Sequence, residues 1–91
     1  MWTSEYTKQF KKDFKRCGKR SLPLHDLEAV MLTLIEGKVL AEKYRDHILK
    51  GEYEGFGECH IKPDWLLVYL KVPEEQVIRF VRTGTHSDLF D

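Results

Sequence analysis

The run FGECHIKPDWLLVYLKVPEEQVIRFVR, residues 56–82, decides the fold. It holds three strand-like segments, Phe56 to Ile61, Trp65 to Val72 and Gln76 to Arg82, each rich in β-branched, aromatic and long apolar side chains. Between them stand Lys62-Pro63-Asp64 and Pro73-Glu74-Glu75, short links whose prolines favour tight turns. Strands joined this closely predict an antiparallel meander.

Upstream, the apolar residues change period. Phe10, Phe14 and Cys17 follow Tyr6 at helical spacing, with Lys8, Lys11, Lys12, Lys15 and Lys19 on the opposite side, which predicts an amphipathic basic helix. Thr7 or Ser4 is placed to cap its start and Gly18 to end it, and Met1 to Tyr6 equally suits a short strand leading in. A second helix is expected from about Leu22 to Glu36. Leu24, Leu27, Val30, Met31, Leu34 and Ile35 share one arc, Pro23 sits in the first turn and Gly37 marks the stop. Lys38 to Gly55 has no sustained period and reads as a long loop of the kind that carries function. Two helices followed by three strands give an α+β layer, the helices packed on one face of a small, mainly antiparallel sheet and the other face free for work.

Length and composition bound the function. Ninety-one residues fit one domain, 1–91, and 42% apolar with 33% charged residues is the balance of a folded globule rather than a disordered chain. No apolar run approaches the roughly 20 residues of a membrane helix, and no secretory stretch opens the chain, so the cytoplasm is the expected location. Cys17 and Cys59 are too few and too far apart for a disulfide framework and are expected reduced and partly buried. The net charge of zero hides an asymmetry: residues 1–20 carry seven Lys/Arg against two acids, the rest eight against thirteen. The balanced total argues against a strong non-specific nucleic-acid binder, while the basic first helix offers a polyanion one end of the molecule.

The chemistry-bearing residues collect late in the chain. His60 closes one strand, Asp64 and Trp65 open the next, Arg82 ends the third with His86 just beyond, and His47 lies in the loop. A meander brings the strand-end residues towards one rim. Histidines with an arginine suit cleavage of RNA by its own 2′-hydroxyl: one group takes the hydroxyl proton, another protonates the departing 5′-oxygen, and a guanidinium meets the charge building on phosphorus. No metal or cofactor is needed for that. Taken singly, each residue also has a structural explanation: a surface histidine, a turn aspartate after Pro63, a core tryptophan, a solvated strand-end arginine. His25, in the first turn of the second helix, carries no sign of function. Cys59 and His60, adjacent in a strand, point to opposite faces, and no C-x-x-C or H-x-x-x-H pair occurs, so a zinc site has no support. Neither a phosphate-cradling glycine loop nor a G-x-S-x-G elbow is present.

The segments Tyr44-Arg45-Asp46-His47-Ile48-Leu49-Lys50-Gly51, Cys59-His60-Ile61-Lys62-Pro63-Asp64-Trp65-Leu66-Leu67-Val68-Tyr69 and Arg82-Thr83-Gly84-Thr85-His86-Ser87-Asp88-Leu89-Phe90 resemble the YafQ-like toxins of bacterial type II toxin-antitoxin modules, a branch of the RelE/ParE superfamily. The resemblance implies a RelE-like fold and a ribosome-dependent messenger RNA interferase. It would act in the decoding site, among messenger and ribosomal RNA, until silenced by a RelB/DinJ-type antitoxin, through which alone it would meet DNA. The family's active-site positions fall on His47, His60, Asp64, Trp65, Arg82, His86 and Phe90. His86 is then expected to transfer the proton to the 5′-oxygen. Arg82, two residues past Phe80 and expected on the same strand face, is to stabilise phosphorus; Asp64 or His60 is the base; His47 is a further contact. Trp65 and Phe90 offer aromatic surface for stacking, and Lys8, Lys12 and Lys15 offer contacts to RNA phosphates. The alternative is a non-catalytic protein of the same fold that binds another target such as DNA gyrase, a class that lacks this histidine set.

Overall fold

The computed structural model describes residues 1–90. Strand β1 (Thr3–Tyr6) leads into helices α1 (Lys8–Lys19) and α2 (Leu24–Ile35). A connection holding the two-residue strand β2 (His47–Ile48) is followed by β3 (Gly57–Lys62), β4 (Trp65–Val72), β5 (Val77–Gly84) and the short helix α3 (His86–Phe90). The strands form one five-stranded sheet in the order β1-β5-β4-β3-β2, antiparallel throughout except for the parallel β1–β5 pair. The expected α+β architecture and central meander are present. The segment Lys38 to Gly55 departs from expectation: β2 within it extends the sheet, and single 3-10 turns form at Glu42–Tyr44 and Gly51–Tyr53. Two residues are too few to show a period, so nothing in the sequence pattern marks β2.

Of the two candidate caps, Ser4 lies within β1 and Thr7 does the work. Its Oγ accepts from the Phe10 amide at 2.9 Å and donates to the Val81 carbonyl at 2.8 Å, which stitches the start of α1 to β5. The helix runs one residue past Gly18, to Lys19. Phe10 and Cys17 of α1 and Leu27, Val30, Met31 and Leu34 of α2 pack on Cys59 and Ile61 of β3, Leu67 and Tyr69 of β4, and Ile78 and Phe80 of β5. That apolar burial against one sheet face is the main stabilising contribution. Both cysteines are free and buried.

Because side chains alternate along a strand, the same register sends Glu58 and His60 of β3 and Leu66 and Val68 of β4 to the other face. There Leu66 and Val68 form a smaller cluster with Leu89 of α3. One register feature corrects the sequence reading. Tyr69 pairs with Phe80 but Val68 with Arg82, leaving Val81 as an extra residue in β5. This β-bulge switches the alternation, so Arg82 falls on the face opposite Phe80 rather than the same one. Among the described residues no helix is long and apolar enough to cross a membrane.

Candidate active site

Three imidazoles stand in a row on the face away from α1 and α2. The His47 and His60 ring centroids are 6.4 Å apart, and His60 and His86 are 5.9 Å apart. Each ring is fixed through Nδ1. His47 Nδ1 donates to the Arg45 carbonyl at 2.6 Å, His60 Nδ1 lies 3.3 Å from the Pro63 carbonyl, and His86 Nδ1 donates to Asp64 Oδ1 at 2.6 Å. Carbonyl and carboxylate oxygens only accept, so Nδ1 carries the proton in all three rings. Nε2 is then the working nitrogen, a base when bare and an acid when protonated; it is open in His86 and lies beside the Glu58 carboxylate in His47 and His60.

Asp64 is placed by the turn between β3 and β4, as its position after Pro63 suggested. Its Oδ1 also accepts from the His86 backbone amide at 3.0 Å. That backbone hydrogen bond, joined by the ring's, holds the Asp64 carboxyl below the usual carboxylate range. A carboxylate already engaged by two donors is a poor acceptor for a third proton and a good orienting group for His86. Thr85 and His86 open α3, whose position depends on Asp88. Asp88 accepts from the Thr85 amide at 2.9 Å and takes Arg20 in a bidentate pair at 2.7 and 3.2 Å. The Arg20 hydrogen bond above all pulls the Asp88 carboxyl far below its ordinary value. Gly84, with φ +155°, is required here, since a Cβ on it would lie 2.8 Å from Asp88 Oδ2.

Arg82 enters from the bulge. Its Nε donates to Asp13 Oδ2 at 2.7 Å and its Nη2 to Asp13 Oδ1 at 3.3 Å, and the pairing raises the guanidinium pKa further. Phe90 is 42% exposed, with its ring edge-on to Tyr53 at 5.5 Å. Lys8, Lys12 and Lys15 are exposed on α1 and form no ion pair among the described residues. Trp65 is a correction. It is 2% exposed, belongs to the helix-side core and donates from Nε1 to Thr83 Oγ at 3.0 Å. Its place in β4 puts it on the same face as Leu67, opposite the histidines, so no base can stack on it. His25 stands apart, paired with Asp26 at 3.3 Å.

Two residues that sequence reasoning did not select shape the site. Glu58 is 6% exposed, with Oε1 at 3.4 Å from His47 Nε2 and 3.9 Å from His60 Nε2. Its separation of two residues from His60 within a strand was the available signal. Asp13 gave no signal, because it looks like one more surface charge on a basic helix. Among the described residues no group of three or more His, Cys, Asp or Glu is arranged to hold a metal ion.

The model of the family described as "Bacterial toxin of type II toxin-antitoxin system, YafQ" matches residues 2–91. The mRNA interferase toxin YafQ of Escherichia coli K12 is 39% identical over 87 residues, covering 94% of this chain and 92% of that protein. The toxin in the crystal structure of the E. coli DinJ-YafQ complex superposes with a TM-score of 0.91 at 37% identity, over the whole of both chains. A metal-bound toxin from Helicobacter pylori does so with a TM-score of 0.93 at 46% identity, over 99% of this chain and 100% of that one. A family match over nearly the whole length, a close curated relative and a shared fold agree, and the chain belongs to the YafQ family of bacterial type II toxin-antitoxin toxins.

Proposed function

We propose that this toxin is an endoribonuclease that cuts messenger RNA on the ribosome without a metal, and that an antitoxin of the DinJ type silences it. The observation that carries the reading is the row of three imidazoles fixed through Nδ1, with Nε2 open in His86 and beside the Glu58 carboxylate in His47 and His60, facing the same side of the sheet as Arg82. The names of its E. coli relatives, an mRNA interferase toxin and a toxin in complex with DinJ, point the same way.

In this account His60 Nε2 takes the proton of the 2′-hydroxyl, and the resulting oxygen attacks phosphorus. Arg82 meets the charge of the pentacovalent state, with a charge that pH cannot switch off. His86 Nε2, oriented by Asp64, gives its proton to the 5′-oxygen as that bond breaks. The products are a 2′,3′-cyclic phosphate and a 5′-hydroxyl, and the two histidines exchange protons with solvent before the next round. His47 contacts the phosphate. Phe90, propped on Tyr53, stacks on a base of the message. The exposed lysines Lys8, Lys12 and Lys15 attract ribosomal RNA or an acidic antitoxin segment to α1. The site of action is the cytoplasm.

Induced expression tests the reading. An RNA-cutting toxin arrests translation with cleaved messages and without DNA damage. A gyrase-binding protein of the same fold gives DNA damage with messages intact, and that outcome would refute the proposal.

A further inference from the structure

Next to the histidine row lies a groove of about 520 Å³ between α2, the Glu42–Tyr44 turn and the β3–β4 turn. Three cations line it, Lys43, Arg45 and Lys62, against one acid, Asp26, which pairs with Lys62 at 3.3 Å. The Arg45 guanidinium makes no ion pair among the described residues, and Lys43 Nζ rests only over the Tyr44 ring, 5.1 Å from its centroid. The groove is therefore a net positive, incompletely neutralised channel.

It is also continuous with the reaction centre. His60 lines both, and the two carbonyls that fix the neighbouring rings, Arg45 for His47 and Pro63 for His60, belong to groove residues. A strand whose phosphate sits between His60 and His86 must pass its adjoining nucleotide over one side of His60, where these cations stand. We infer that the groove binds the phosphodiester backbone of single-stranded RNA next to the cleaved phosphate, with Lys43 and Arg45 as the free contacts and Lys62 released from Asp26 on binding. Planar guanidinium and mobile ammonium groups suit phosphate oxygens, and water at the open side is no obstacle to such contacts. This inference rests on the reading of the chain as an RNA nuclease.

The test uses a fluorescent single-stranded RNA methylated at every 2′-oxygen, which cannot be cut. Its affinity is measured by anisotropy from about 50 to about 200 mM salt. The intact toxin is compared with Lys43→Gln, Arg45→Gln and Lys62→Gln, and with Lys38→Gln, whose ammonium pairs with Glu36 outside the groove. Each groove variant is expected to weaken binding roughly 3-fold to 10-fold at low salt and to flatten the dependence of log Kd on log salt by about 0.7, the loss of one phosphate contact, while Lys38→Gln leaves both unchanged. Unchanged slopes in the groove variants, or a loss of antitoxin binding with RNA affinity intact, would overturn the inference. Should unmodified message on programmed ribosomes stay uncut by the intact toxin, the nuclease reading fails on its own. The anisotropy result still decides the groove, because the methylated strand is never a substrate.

Discussion

Asp13, fully buried in α1, grips Arg82 with both carboxylate oxygens and with Oδ2 also accepts the Thr83 amide at 3.2 Å. The strand β1 stops pairing with β5 at Phe80, and beyond that point Thr7, at the Val81 carbonyl, and then Asp13, at the Thr83 amide, take over as partners of the β5 edge. The residue that ends the ladder thus also aims the guanidinium. Asp13→Asn replaces an acceptor with a donor facing Arg82, and is expected to cost about 2–4 kcal/mol of stability in urea denaturation. Arg82→Lys keeps the charge but not the two-pronged grip. It should lose at least roughly 10-fold in cleavage with a smaller loss of stability, and a full rate in that variant would remove the directional role of Arg82.

The pH dependence separates Asp64 from His60. The Asp64 carboxyl is held below the usual carboxylate range, so its pair with His86 is complete above about pH 5 and is lost only as pH falls through the lowered value. Asp64→Asn is accordingly expected to lower the rate by roughly 10-fold or more without removing the limb on the acid side of the rate profile, where rate rises with pH as the general base loses its proton. His60→Gln should remove that limb. The reverse assignment of limbs would make Asp64 the base.

Much of this was legible in advance, for reasons that differ by element. Leu24 to Ile35 and Trp65 to Val72 are long enough for apolar residues to show a period, and the proline links fixed the meander. His47, His60, His86 and Asp64 stood out as candidates because their residue types carry chemistry and their order matches a family, and the fold brings them together. What failed to show depended on single register events. One extra residue at Val81 turned Arg82 to the other face, and the place of Trp65 at the start of β4, on the face of Leu67 and Tyr69, put that ring in the core, where family position had suggested an RNA contact. Asp13 and Glu58 meet Arg82 and the histidines from buried positions, and burial is something a charged residue does not announce in sequence.

Close packing behind β3 gives a further test. A Cβ at Gly57 would stand 2.3 Å from Tyr69 Cζ, and the Tyr69 hydroxyl donates to Asp46, one residue before His47. Gly57→Ala is expected to destabilise the toxin by about 1–3 kcal/mol through displacement of that ring. Thermal unfolding at the wild-type temperature would show that the ring yields freely.

The anchor of α3 predicts a second pH effect, on stability. Asp88 has a depressed folded-state pKa, so its contribution is complete above the unfolded value of about 4, begins to fall below it and is lost as pH falls through the depressed value. Asp88→Asn should therefore be less stable than the native chain by roughly 1 kcal/mol near neutral pH, allowing for the exposure of Arg20. The difference should narrow in acid. Urea midpoints at about pH 7 and about pH 3 read this directly, and an equal gap at both would mean that charge plays no part in the anchor.

The chemistry of the cut ends tests the central claim most directly. Message on programmed ribosomes is treated with the purified toxin and with His86→Ala, each stripped of metal by a chelator beforehand, and the new ends are typed by their need for phosphatase or kinase before ligation. The account predicts 2′,3′-cyclic phosphate and 5′-hydroxyl ends from the intact toxin, and a rate roughly 10²-fold to 10⁴-fold lower from His86→Ala. Ends bearing a 5′-phosphate and a 3′-hydroxyl, or full activity without His86, would contradict it.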